Sequence, residues 1–316
     1  MPGVGVAEAV LQVAAVGPQV SVQDGGRPGL LRFGVPASGP MDRRAFAIAN
    51  AALGNPAGAA GIEVSRGGLV LDCVQGAVSV AVAGGGFVVE VDGARGGAWR
   101  VVTLHAGQRM VVRQGPWGSW TCLAFAGRMV ARDWLGSAAT HALSGFGGGV
   151  LTAGQAIRVR DARLVPDRVL SCPVWARPRP VLRAVPGPQD DCFAPQTVRA
   201  FFAEPFRLTD AGDRMGVRLR GPGIAPVAAL NLPSQAILRG SVQVAGDGVA
   251  TVLLADHQTT GGYPKIATVP GCDLDGFAQL RPQDAVRFVA VGAEAAVAQE
   301  RQAARALQAY LAALRR

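Results

Sequence analysis

Lysine is almost absent from this chain of 316 residues: of its 31 lysines and arginines only Lys265 is a lysine, and only two tyrosines occur. Wherever a bulk surface cation would serve, the chain carries arginine. An ammonium is a compact point charge with rotatable donors and a pKa that burial lowers, whereas a guanidinium is a permanently charged planar fork. A composition rich in arginine leaves one lysine by chance in some chains. Here the context favours a functional reading, because Lys265 follows Tyr263 within Thr259-Thr260-Gly261-Gly262-Tyr263-Pro264-Lys265-Ile266-Ala267-Thr268-Val269. The two glycines permit a tight turn or close approach to a ligand, Pro264 stiffens the entry, and Ile266–Val269 is predicted as a strand supporting the amine.

Other absences set bounds. Apolar runs are short and broken by Gly, Pro or Arg, which excludes a membrane-spanning helix. The N-terminus has neither a basic stretch nor a continuous apolar core before a small-residue cleavage site, so the expectation is a cytoplasmic protein. There is no CxxC pair; Cys73, Cys122, Cys172, Cys192 and Cys272 are scattered, and the three histidines are far apart. This argues against a metal site and for reduced core thiols. Aromatics are 6% and the arginines are dispersed, so the net charge of +9 lacks the pattern of a nucleic-acid surface. A solvated arginine surface, anionic small molecules or an acidic partner account for it better. GxSxG, HExxH, GxGxxG and GxxxxGK[ST] are missing, and Pro264-Lys265-Ile266 is neither a phosphate loop nor a biotin-attachment sequence. If ATP or biotin takes part, a partner chain carries it.

What is present is a globular chain, 49% hydrophobic and 17% charged, long enough for two cores. Forty-three glycines and 21 prolines punctuate short apolar segments, the pattern of a mainly β fold. Strands are predicted at 69–71, 77–83, 87–91, 99–104, 110–112 and 120–125. A turn pair ahead of alternating apolar residues recurs at His105–Val112, Thr152–Val159 and Arg281–Phe288. Helices are predicted at Pro40–Leu53, Pro195–Phe202 and Glu294–Leu314, the last with Val297, Leu307, Tyr310, Leu311 and Leu314 on its packing face. Cys172–Pro180 holds three prolines and reads as a connector. The expected domains are therefore 1–171, 181–292 and a C-terminal helix over 293–316. Leu11-Gln12-Val13 before Gly17-Pro18-Gln19 echoes Leu182-Arg183-Ala184 before Gly187-Pro188-Gln189. Two related β domains with a ligand cleft between them follow as the expectation.

Three segments concentrate chemistry. The first, Val22–Gly29 continuing through Gly34–Asp42, sets Gln23, Asp24, Arg27 and Ser38 among glycines ahead of a helix, where backbone N–H groups receive an anion or where Asp24 and Ser38 act as local caps. In the second, Asp213-Arg214-Met215-Gly216, Arg214 either clamps a carboxylate or phosphate or forms a surface ion pair. The third brings Gln243, Asp256 and Lys265 within one hairpin-sized stretch.

At this point a resemblance is evident. Gln23-Asp24-x-Gly26-Arg27-x-Gly29, Gly34-Val35-Pro36-x-Ser38-Gly39-x-Met41-Asp42, Gly54-Asn55-Pro56, Pro186-Gly187-Pro188-Gln189, Asp213-Arg214-Met215-Gly216 and the Thr259–Val269 run occur in one order. Together they resemble the allophanate hydrolase subunit 2 family, also called the biotin-dependent carboxyltransferase or KipA-like family, which includes one of the components of bacterial 5-oxoprolinase. The resemblance implies two cyclophilin-like β-barrel domains. It also implies a subunit that works with an allophanate hydrolase subunit 1 or KipI-like protein and a LamB/YcsF-like protein to open 5-oxoproline to glutamate with ATP. In urea carboxylase the equivalent region moves a carboxyl group from biotin carried elsewhere; a third alternative is a non-catalytic regulator that binds a KipI-like kinase inhibitor.

On the leading reading Lys265 and Arg214 stabilise an oxyanion or hold the substrate carboxylate, with Tyr263 and Gln243 orienting it. Gln23, Asp24, Arg27, Ser38, Asp256, Gly261 and Gly262 complete the binding surface. The chain departs from the family at Ser137-Ala138-Ala139-Thr140-His141, where Ser-Arg-Ser-Thr-Tyr is common, and at Ser234-Gln235-Ala236, where Ser-Glu-Gly is common. A changed substrate, a compensated pair and a paralogue without activity all remain open.

Overall fold

A computed structural model describes residues 6–227 and 232–314, so the first residues read for a leader lie outside it. The chain divides into two compact units: Met1–Arg27, Ser38–Arg177 and Ala309–Arg316 in one, Pro28–Ala37 and Pro178–Gln308 in the other. The division after Arg177 falls in the proline-rich stretch.

The first unit contains two sheets among the described residues. One orders its strands Arg128–Met129, Ala156–Ala162, Val6–Val16, Leu69–Gln75, Arg109–Arg113, Val88–Val91 and Ala94–Gly97. The other runs Arg168–Val169, Arg100–His105, Ala77–Ala83, Trp120–Phe125, Gly61–Ser65 and Ser21–Gln23. Period-2 alternation decides which residues face inward. Leu69, Leu71 and Cys73 from one sheet and Val78, Val80, Val82, Leu123 and Phe125 from the other share a single core. Every residue of Ala77–Ala83 is buried, because the helix Arg43–Ala52 covers the strand's second face. That helix starts where Asp42 Oδ1 accepts the Ala45 N–H at 2.9 Å, and its first residue, Arg43, lies three residues later than the predicted start.

The recurring turn has one construction. At Gly107, Gly154 and Gln283 the backbone takes positive φ (92°, 85° and 72°). The next side chain reaches back to the first residue's N–H: Gln108 Oε1 to His105 at 2.8 Å, Gln155 Oε1 to Thr152 at 3.2 Å and Asp284 Oδ2 to Arg281 at 2.8 Å. The polar side chain fixes the turn, and the strand begins immediately after it.

The second unit is a closed barrel of Val181–Pro186, Lys265–Thr268, Ser241–Val244, Ala250–Leu253, Gly216–Arg220, Phe206–Gly212 and Ala285–Ala290. Closure is made by the parallel pairing of Val181–Pro186 with Ala285–Ala290. Phe201 of the helix Pro195–Ala203 stacks on Phe288 at 4.5 Å and lies against Phe206, each almost fully buried. Burial of each such ring is worth roughly 2–3 kcal/mol.

The mainly β expectation therefore holds, with two corrections of detail. A helix at Gly271–Ala278 was not expected, and it is buried on all sides, so no amphipathic period marked it. In the terminal helix Ala293–Leu314, Val297 is exposed while Ala296 and Leu311 are buried. The inward stripe thus includes the small residue beside the larger one.

Candidate functional site

The strand pair around Lys265 carries an irregularity that positions it. Ser241 stands opposite Thr268 and Val242 opposite Ala267, but Gln243 stands opposite Lys265 and not Ile266. The extra residue is a β-bulge, and it turns Lys265 to the same side as Gln243. Gln189 holds the lysine backbone at both ends, since its Oε1 accepts the Lys265 N–H at 2.9 Å and its own N–H donates to the Lys265 carbonyl at 3.2 Å. Gln189 Nε2 in turn donates to Gln235 Oε1 at 2.6 Å. A glutamate in place of Gln235 would accept the same bond, so this departure from the family pattern keeps the contact and removes a charge.

Lys265 is 3% exposed, and its Nζ has no hydrogen-bond partner among the described residues. Burial pushes its ammonium below the ordinary lysine range, with the Cys192 thiol as a smaller opposing influence. The Cys192 thiol is itself pushed up by burial. Gln243 Oε1 accepts from Gln258 Nε2 at 2.9 Å, while the buried Gln243 Nε2 has no acceptor among the described residues. A Cβ on Gly261 would stand 3.0 Å from that nitrogen, so the glycine keeps space open beside it. One on Gly262 would stand 3.0 Å from the Leu232 carbonyl.

A cavity of about 620 Å³ opens in this unit, lined by Asp210, Asp213, Met215, Arg218, Gln243, Gln258 and Tyr263 among others. Tyr263 is half-exposed at its wall. Asp213 faces its own backbone, accepting the Met215 and Gly216 N–H groups at 2.7 and 3.2 Å. Arg214 and Asp256 are brought together: Nε donates to Oδ2 at 2.8 Å and Nη2 to Oδ1 at 3.2 Å, with both side chains buried. The surface ion pair weighed for Arg214 is thus a buried one, with Asp256 and not Asp213. The fork that was expected to face a substrate carboxylate engages an internal carboxylate.

In the first unit, Gln23, Asp24 and Arg27 converge on one loop. Asp24 Oδ1 accepts from Gly26 N–H at 2.8 Å and Ser137 Oγ–H at 2.7 Å, and Oδ2 accepts the Ala138 N–H at 2.6 Å. Arg27 donates to the carbonyls of Trp134 at 3.4 Å, Ser137 at 3.3 Å and Ala139, and its guanidinium lies 5.1 Å from the Trp134 ring centre. At the departing positions Ala138 and Ala139 these contacts are to the backbone, so they tolerate the side-chain departures there. His141 Nδ1 lies 2.9 Å from Ser144 Oγ. Gln23 Nε2 donates to Ser21 Oγ at 2.9 Å and the Thr140 carbonyl at 3.3 Å, leaving Gln23 Oε1 buried and unpartnered. Ser38, at φ 51°, also buries an unpartnered hydroxyl.

Sequence reasoning singled out Lys265 and Gln243, named Gln235 as a departure from the family and Gln189 within a motif, and missed Gln258 and the place of Cys192 beside the lysine. A neutral amide carries no charge pattern, and no motif pointed to Gln258. No helix among the described residues is long and apolar enough to cross a membrane, and no disulfide forms among them.

Comparison with known proteins places these motifs. Residues 33–290 match the family described as carboxyltransferase domain, subdomain A and B. A 5-oxoprolinase subunit of Haemophilus influenzae is 31% identical over 290 residues, covering 91% of this chain and 93% of that one. A urea amidolyase of Saccharomyces cerevisiae is 26% identical over 313 residues, 90% of this chain and 17% of the yeast protein. The solved structure of TTHA0988 superposes with a TM-score of 0.79 at 34% identity, covering 89% of this chain. This chain spans about half of TTHA0988, 55% of its length.

Proposed function

The chain belongs to the carboxyltransferase domain family, subdomain A and B, and on that premise we propose that it is a subunit of an ATP-dependent 5-oxoprolinase that opens the lactam to glutamate. The observation that carries the reading is the buried Lys265 amine, opposite Gln243, with neither its Nζ nor the Gln243 Nε2 hydrogen-bonded among the described residues. The similarity to a 5-oxoprolinase subunit along nearly its whole length supports the same assignment.

The chemistry follows from what these two residues offer. Opening a lactam moves negative charge onto the carbonyl oxygen. Donors fixed in a water-poor site stabilise that charge without reorganising, and removing one such donor costs about 10²–10³ in rate. Lys265 Nζ and Gln243 Nε2 supply N–H groups to that oxygen, Tyr263 orients the ring from the cavity wall, and Gly261 and Gly262 allow its approach. Arg214 acts through Asp256 by holding the Asp256 carboxylate, a positioning role.

ATP does not fit the described cavity: Asp210 and Asp213 line it alongside Arg218, the wrong charge balance for a triphosphate. On this reading ATP is handled with a partner, an allophanate hydrolase subunit 1 or KipI-like chain with a LamB/YcsF-like subunit. Covalent biotin does not fit either, because Lys265 is the single lysine and lies buried in a strand, out of reach of a ligase.

Carboxyl transfer to a urea-like amide is the second reading, favoured by the yeast relative. Reconstitution with the partner subunits separates the two. Glutamate release from 5-oxoproline that requires ATP supports the lactam reading, and consumption of carboxybiotin with urea and no glutamate release overturns it.

A further inference from the structure

Gln258 belongs to none of the motifs above, yet it decides which end of Gln243 meets a ligand. A primary amide has an acceptor end and a donor end. Gln258 Nε2 donates to Gln243 Oε1 at 2.9 Å, which fixes the oxygen and leaves the nitrogen as the presented end. That nitrogen is buried without an acceptor, and Lys265, directly opposite, buries a second one. Gly261 leaves the approach to the Gln243 nitrogen clear of side chain. Gln243 and Gln258 both line the 620 Å³ cavity, so a ligand has a route to the Gln243 amide. Two buried donors without acceptors are costly, and such an arrangement is relieved when a ligand brings the acceptor.

We propose that Gln258 is a positioning residue that locks the Gln243 amide with its NH2 toward the ligand, so that Gln243 and Lys265 form a donor-only site selecting a carboxylate or amide-carbonyl oxygen over a hydrogen-bond-donating group. The proposal rests on the reading of Lys265 and Gln243 as the substrate-facing pair. It adds a selectivity mechanism: with the opposite amide orientation the same two residues would offer one donor and one acceptor, and would suit a group such as a urea NH2. Among groups nearby, the Cys192 thiol is the titratable one whose charge acts on Lys265. Arg214 and Asp256 are closed on one another.

The single lysine makes the test direct, because the full chain labelled with ¹⁵N-lysine gives one side-chain amine signal. Gln258→Met is neutral and removes the donor, freeing Gln243 to turn its oxygen toward the ammonium. The expected result is a Lys265 titration midpoint raised by about one pH unit. Acetate should then need about tenfold higher concentration to move the signal. Gln258→Glu, close in shape, accepts from the Gln243 NH2 and should invert the preference for acetate over acetamide; it carries the test if Gln258→Met does not fold. A residue with a merely structural role leaves that preference where it is in the wild type. Folded variants with unchanged midpoint and unchanged preference overturn the proposal. A wild-type chain that responds to acetate and not to 5-oxoproline, with both variants shifted as stated, supports the proposal and overturns the lactam reading.

Discussion

Lys265 and Gln243 stand opposite one another on adjacent antiparallel strands only because Ile266 is bulged out of register. Without the bulge Gln243 would meet Ile266 and the lysine would turn to the other face, since a one-residue slip reverses every side chain. The strand pair thus puts two residues with unsatisfied buried nitrogens in register, at a cost in stability that a functional site explains.

That cost gives the first prediction. Lys265→Met keeps the side-chain length and removes the buried amine, so the variant should unfold at an equal or higher denaturant concentration than the wild type while losing turnover. The sign with pH is fixed by the lowered folded pKa of Lys265. Below that folded value both states are protonated and burial of the ammonium is fully penalised. As pH rises through the folded value toward the ordinary 10.5, the unfolded state binds more protons and the penalty falls. The stability gap between Lys265→Met and wild type should therefore shrink with rising pH in urea titrations.

The Arg214–Asp256 pair should behave as a buried ion pair. Arg214→Ala or Asp256→Ala leaves an uncompensated charge where both side chains are 5% or less exposed, a loss of about 3–5 kcal/mol. The double variant should lose less than the sum of the single losses, measured by equilibrium unfolding. Additive losses would show that the two do not depend on one another.

Arg27 fastens 134–139 through carbonyls and the Trp134 face. Lysine in its place cannot present the planar fork. Arg27→Lys should speed amide hydrogen exchange across 134–139 by about tenfold, as a loss of one to two kcal/mol of local stability would, with the barrel of the second unit unaffected.

Asp273 sits beneath Arg179 and Arg183, with Arg179 Nη1 donating to Oδ1 at 2.8 Å and Arg183 Nε to Oδ2 at 2.9 Å. Burial pushes its carboxyl up, but the Arg183 hydrogen bonds and the two guanidinium charges hold it below the usual range. Its stabilisation is present above the unfolded value of 3.8 and is lost as pH falls through the folded one. Asp273→Asn should cost about 3 kcal/mol at neutral pH and flatten the acid limb of the stability profile.

Much of this architecture was legible in the chain. Ala77–Ala83 and Trp120–Phe125 match their predicted bounds because glycine-bounded apolar runs leave no competing period, and Lys265 was marked by its rarity alone. The glutamine framework was not legible. Gln189, Gln235, Gln243 and Gln258 come from separate elements and are joined by barrel closure and a one-residue bulge, neither of which leaves a local signature. Arg214 and Asp256 were both singled out for the ligand, yet their pairing across 42 positions of sequence is a tertiary fact.

The central claim concerns the nitrogen of Lys265, and Lys265→Arg tests it most directly because charge is kept and the compact point donor is lost. In the complex reconstituted with its partner subunits, ATP-dependent glutamate release from 5-oxoproline should fall by about 10²–10³ relative to wild type. A Lys265→Arg complex that assembles and releases glutamate at the wild-type rate would contradict the account.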